Sequence, residues 1–159
     1  MNEDISIVRV PTGLIVSEAM QDAQDRLLSR FGDALRAKNV QAVVNNPKTA
    51  LIFAIVGAAP VSDDDWQNLS PDSYIGTITL MMLQTTAHNV AHIDEIVVEP
   101  GHEGQGIGKR LMQKAIEVAH ENDTSRFDLT SRPEKAAANA LYEKMGFKKR
   151  DTNVWRLED

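Results

Sequence analysis

The chain has 159 residues, 42% hydrophobic and 25% charged, with a formal net charge of −6. That is enough for one domain with a core of its own and too little for two comfortable ones. The acidic balance argues against nucleic-acid binding, which favours a basic face, and the absence of cysteine excludes disulfides, thiolate metal sites and cysteine nucleophiles.

In chain order, "ISIVRV" (5–10) reads as a first strand ended by Pro11. Ala19, Ala23, Leu27 and Phe31, with Leu28 beside them, form an i, i+4 ladder that predicts an amphipathic helix capped by Ser17. Gly32 interrupts it, and a second helical stretch follows through Leu35 to about Val44. "TALIFAIVGA" (49–58) is a continuous apolar, β-branched run and reads as a buried strand. Residues 59–73 form an acidic loop with Asp63, Asp64, Asp65 and Trp66. It is either a wall that attracts a cationic acceptor or a solvated loop anchored by its tryptophan.

"YIGTITLMML" (74–83) and "VAHIDEIVVEP" (90–100) are two further strands. A glycine-rich segment, "EGQGIGKRLM" (103–112), then runs into a helix with Ile107, Leu111, Ala115 and Ala119 on one stripe. "RFDLTS" (126–131) is a short strand. "SRPE" has the form of a capping box, with Ser131 as cap and Glu134 answering it. The helix it opens runs to about Met145, and Gly146 is the expected residue past its end. "FKKRD" and "NVWRLE" read as a last strand pair. The order is β-α-α-β-β-β-α-β-α-β-β. It predicts an α/β (α+β) fold: a mixed, mostly antiparallel sheet of about seven strands with helices on both faces, in a single domain over 1–159.

His88 and His92 are four residues apart, but they fall on a turn and the strand that follows it, not on one helix face, so the spacing does not make a metal pair. No apolar run reaches membrane-spanning length, and "MNEDISIVRV" lacks the basic and apolar regions of a signal peptide. The expectation is a cytoplasmic protein without metal, membrane or nucleic-acid partners. The sequence is compatible with a homodimer and does not set the oligomeric state.

The glycine segment carries the strongest signal. It follows a strand and opens a helix, where the first N–H groups lack intrahelical partners and the dipole favours an anion. It fits neither common nucleotide motif. A P-loop needs four residues between its glycines, and Gly104 to Gly108 leaves three. A dinucleotide fingerprint would need glycine at position 109, which is Lys109.

The segment does resemble motif A of the GNAT superfamily of N-acetyltransferases, Q/R-x-x-G-x-G/A, aligned as Glu103-x-x-Gly106-x-Gly108. "NALYEKMGF" resembles the family's second block through Asn139, Tyr142, Gly146 and Phe147. The specific motifs lie between residues 93 and 147, and the element order is similar along nearly the whole chain.

The resemblance implies an N-acetyltransferase that moves an acetyl group from acetyl-CoA directly to an amine, without metal. A non-catalytic CoA-binding sensor of the same fold is the alternative. It implies a cofactor lying between the strands at 90–99 and 126–131. Backbone groups of Ile96, Val97 and Val98 would pair with its pantetheine arm. Glu103, Gly104, Gln105, Gly106, Ile107, Gly108 and Lys109 would hold the diphosphate. Asn139 would contact the pantetheine, and Tyr142 would stand near the sulfur.

An amine of ordinary pKa must lose a proton before attack. Strand alternation places His92, Asp94 and Ile96 on one face and Glu95 on the other. Asp94 and Glu95 together are the candidates for base or amine recognition, with His92 third. Tyr142 is either the acid that protonates the leaving thiolate or a packing residue. Glu103 is the departure: it stands where the family pattern has Gln or Arg, and a carboxylate there repels phosphate unless Lys109, Arg110 or His102 neutralises it.

Overall fold

The computed structural model describes residues 4–32 and 36–158. They form two compact units, Met1–Leu129 and Thr130–Asp159.

The first unit is built on a five-stranded sheet in the order β1 (Ile5–Arg9), β2 (Thr49–Val56), β3 (Tyr74–Gln84), β4 (Asn89–Val98) and β5 (Phe127–Leu129). The first four pair antiparallel. β5 joins β4 in parallel, through a crossover that contains the helix α4 (Ile107–His120). The apolar run of β2 is buried from Ala50 to Ile55, as a strand covered on both faces should be.

One face, with Leu51, Phe53 and Ile55, shares a core with Met20, Ala23 and Leu27 of α1 (Glu18–Leu28) and with Val40 and Val44 of α2 (Val40–Asn45). The opposite face meets α4. A Cβ placed on Gly76 would lie 3.2 Å from Leu111 Cδ1, 3.4 Å from Ala54 Cβ and 3.1 Å from the Val97 carbonyl oxygen. The absent side chain at Gly76 lets the helix sit close to the sheet.

Ser17 caps α1 as expected, its hydroxyl accepting from the Met20 N–H at 3.2 Å. The buried stripe differs from the predicted one. It is Met20, Ala23, Gln24, Leu27 and Leu28, while Phe31 lies in a 3₁₀ turn (Ser29–Phe31) and is exposed. Leu35, part of the predicted second helical stretch, lies outside the described residues, and the helix observed there, α2, begins at Val40. The loop 59–73 contains a short helix, α3 (Asp63–Gln67). In α4, Ile107, Leu111, Ala115 and Ala119 are all buried, so its predicted stripe is the observed one.

The second unit contains α5 (Ala136–Lys144). The capping box at Ser131 does not form. α5 starts later, with Lys135 at its N-cap and no side-chain cap. A helix capped by Ser131 would need Arg132 in helical conformation, which the following Pro133 disfavours. Instead Lys135 N–H closes a turn on the Arg132 carbonyl at 3.1 Å. Past the helix, Gly146 takes a φ of 91°.

The expected seven strands are five, since residues 147–158 carry no strand. The basic run Lys148–Arg150 leaves the first of the two segments without an alternating apolar face. In the second, Val154, Trp155 and Leu157 are exposed.

Candidate active site

Two irregularities shape the centre of the first unit. β5 pairs with β4 only from Ala91↔Phe127 to Ile93↔Leu129. Beyond Ile93, Asp94, Val97 and Val98 stay paired with β3 on one edge, and no strand among the described residues covers the other. The backbone of Ile96, Val97 and Val98 therefore has the open edge that an added extended chain needs.

The second irregularity is a bulge. Thr77 pairs with Val97 and Thr79 with Asp94, so Glu95 and Ile96 together oppose Ile78. Glu95 takes a φ of 54°, a left-handed conformation that is rare for a side-chain-bearing residue. The bulge breaks the alternation assumed from the sequence. Asp94 pairs across from Thr79, and Thr79 Oγ1 donates to Glu95 Oε2 at 2.8 Å, so both acids serve the α1–α2 face. Asp94 is exposed, and its Oδ1 accepts from the Glu95 N–H at 2.8 Å. Glu95 is half-buried. The structure brings the two candidate carboxylates together and gives Glu95 the more sheltered place.

Glu95 and Thr79 line a pocket of about 310 Å³, with Gln24, Leu28, Lys38 and Val43 among its other walls. Gln24 is 2% exposed, and its side-chain oxygen has no hydrogen-bond partner among the described residues. A buried amide oxygen without a partner is costly. The sequence gives no sign of it, because a glutamine on a helix is normally solvated.

The glycine segment lies between β4 and α4. Gly104 and Gly106 have φ of 76° and 77°, a conformation that side chains resist, and a Cβ at either would meet nothing within 4 Å. Gly106 is the N-cap of α4 and supplies no side-chain cap. The first helical bond runs from Arg110 N–H to the Gly106 carbonyl at 3.1 Å. The N–H groups of Ile107, Gly108 and Lys109 thus stand at the free end of the helix. Gln105 turns back, its side-chain nitrogen donating to the Gly101 carbonyl at 3.3 Å.

Glu103 is partnered, and by none of the residues expected to neutralise it. Its ion pair is with Arg30, Nη2 to Oε1 at 3.3 Å. Arg30 Nη1 also lies 3.5 Å from the Val98 carbonyl. Arg110 points elsewhere, to the Ile5 carbonyl at 2.6 Å.

The acidic loop does not offer an aromatic wall, because Trp66 is 3% exposed and belongs to the core. Asp65 forms a capping box with Ser62. Hydrogen bonds from the Val61 and Ser62 backbone and the Ser62 hydroxyl hold its carboxyl below the usual carboxylate range.

In the second unit, Asn139 and Tyr142 lie three residues apart on α5. Asn139 Nδ2 donates to the Arg132 carbonyl at 3.0 Å, fixing the turn before the helix. Tyr142 is buried, with its ring edge-on to Phe147 at 6.1 Å.

An open strand edge next to free helical N–H groups and a guanidinium suits an extended chain ending in a diphosphate. Among the described residues there is no cluster of metal-binding side chains, and no helix is long and apolar enough to cross a membrane.

The profile of the Acetyltransferase (GNAT) family matches residues 53–147 and runs through both compact units. Over 56 residues the chain is 36% identical to a Bacillus subtilis (strain 168) protein named for N-acetylation of a ribosomal-protein alanine, a match covering 35% of this chain and 37% of that one. Over 50 residues it is 40% identical to the mycothiol acetyltransferase of Beutenbergia cavernae, covering 31% of this chain and 17% of that one. The matches thus span well under half of these relatives' own length. The fold is shared with AAC(6')-Iy in complex with the bisubstrate analogue CoA-S-monomethyl-acetylneamine, at a TM-score of 0.72 and 10% identity, covering 98% of this chain and 99% of that one.

Proposed function

The chain belongs to the GNAT acetyltransferase family, and from that premise we infer that it is an N-acetyltransferase moving the acetyl group of acetyl-CoA directly to a primary amine of a small molecule or peptide. The observation that carries this reading is the parting of β4 from β5 after Ile93, beside a helix start with free N–H groups.

Acetyl-CoA, when bound, supplies the acyl group as a thioester with a thiolate leaving group. The open edge at Ile96–Val98 aligns it, and the backbone from Glu103 to Lys109 holds its phosphates. Glu95 takes the proton of the attacking amine, directly or through a water molecule. The half-buried position and the Thr79 bond fix its carboxylate on the face that bears the pocket. Asp94 adds a second negative charge next to it and draws the ammonium form of the acceptor. A backbone N–H near Val98 donates to the charge that develops on the carbonyl oxygen. Tyr142 is assigned the proton that the departing sulfur needs, on the strength of its motif position. Asn139 is assigned a pantetheine contact on the same ground.

The pocket beside Glu95 is the place for the acceptor amine. Its apolar wall of Leu28 and Val43 suits an aliphatic portion, and the Gln24 oxygen can accept an N–H. Calorimetric titration with acetyl-CoA tests the reading. Saturable binding with one site per chain is expected, and no heat of binding at millimolar ligand would refute it.

A further inference from the structure

We propose that Arg30 is a phosphate ligand of the CoA site, held in place by Glu103 until the cofactor arrives. The proposal rests on the acetyl-CoA reading above and adds to it a residue from the opposite part of the chain.

Glu103 places a carboxylate at the head of a loop whose free N–H groups and helix start favour an anion. That carboxylate is met by Arg30, which comes from the 3₁₀ turn after α1 and lies 73 positions away in sequence. The guanidinium sits against both parts of the cofactor track. Nη2 is 3.3 Å from Glu103 at the loop, and Nη1 is 3.5 Å from the Val98 carbonyl at the end of the open edge.

The contacts are long and the groups are wet. Side-chain exposure is 39% for Arg30 and 63% for Glu103. A charge-assisted pair of full strength is about 2.7–2.9 Å long and commonly two-pronged, and an exposed single-pronged pair contributes little. A guanidinium has five N–H donors in a planar fork that matches phosphate oxygens. Two contacts leave donors to spare, and exchanging a weak carboxylate contact for a phosphate costs little. Glu103 then acts as a tether. It keeps the cation at the loop mouth when no phosphate is present, and it offsets the positive end of α4.

The relation between the two residues gives the test. Arg30→Gln removes the charge and keeps most of the side-chain length. CoA affinity, measured by calorimetry at low salt, should fall roughly tenfold or more, the loss expected from one charge-assisted hydrogen bond. The difference from wild type should shrink at high salt. Arg30→Lys should recover part of the loss. Dephospho-CoA and 4′-phosphopantetheine, run beside CoA, report which phosphate is held: the ligand lacking it should lose affinity in the wild type and be insensitive to Arg30→Gln. Circular dichroism and the melting temperature verify that the variant is folded, as expected for a half-exposed side chain. If Arg30→Gln binds CoA as the wild type does at low salt, the proposal is wrong even though the acetyl-CoA reading stands. If the wild type itself binds no CoA, both fail.

Discussion

Thr79 Oγ1 donates a 2.8 Å hydrogen bond to Glu95 Oε2 across the bulged β3–β4 pair. Thr79 is 6% exposed, so the bond holds the carboxylate from the sheltered side. Glu95→Gln should lower turnover by about 10²–10⁴, the usual scale for losing a general base, with CoA affinity unchanged. Thr79→Val keeps the shape and removes the donor. As a positioning change it should lower kcat by about tenfold, with the KM for acetyl-CoA and the melting temperature little altered. Steady-state kinetics on the two variants checks both, and a Thr79→Val effect confined to stability would make the bond merely structural.

Tyr142 has a second reading as a packing residue, and its hydroxyl separates the two. Tyr142→Phe keeps the ring and its edge-on contact with Phe147. It should lower turnover by about 10²–10⁴ and leave the melting temperature close to wild type. Tyr142→Ala should also destabilise the fold, by about 3 kcal/mol. Full activity in Tyr142→Phe would return the residue to packing.

Gly76 tests the packing that carries α4 and its N-terminal loop. A methyl group there would meet the Val97 carbonyl at 3.1 Å and Leu111 Cδ1 at 3.2 Å. Backbone gives way less easily than a side chain, so Gly76→Ala should cost about 1–3 kcal/mol. Chemical denaturation would show the loss as a lower midpoint at unchanged slope.

Tyr74 predicts an alkaline limit to stability. Burial pushes its phenol up to about 12, with Ser17 acting in the opposite direction. The folded state therefore holds the proton more tightly than the unfolded one, whose phenol titrates near 10. The contribution is complete below about pH 10 and is lost as the pH rises towards 12. Tyr74→Phe should flatten the fall of the melting temperature over that window, and an unchanged slope would contradict the assignment.

The features legible in the sequence were local ones. The stripe of α4 and the glycine loop before it depend on spacing within one segment, and the structure has both. So does the cap at Ser17. The failures came where a neighbour decides. Pro133 denies the helical conformation to Arg132 and cancels an otherwise correct capping pattern. The bulge at Glu95 overrides alternation and sends both acids to one face. The partner of Glu103 lies 73 residues away, where no spacing rule reaches. Gln24 was invisible for the opposite reason: its type is common on exposed helix faces, and only packing shows it to be buried.

Acetyl transfer to an amine with Glu95 as base is the step on which the other catalytic expectations depend. Its most direct test is mass spectrometry of an amine library incubated with acetyl-CoA and either the wild type or Glu95→Gln, with free thiol followed in parallel. The wild type should add one acetyl group to a subset of amines with matching release of CoA thiol, and Glu95→Gln should nearly abolish both. A wild type that binds acetyl-CoA yet acetylates no amine above the uncatalysed background would contradict it, as would a Glu95→Gln variant of full activity.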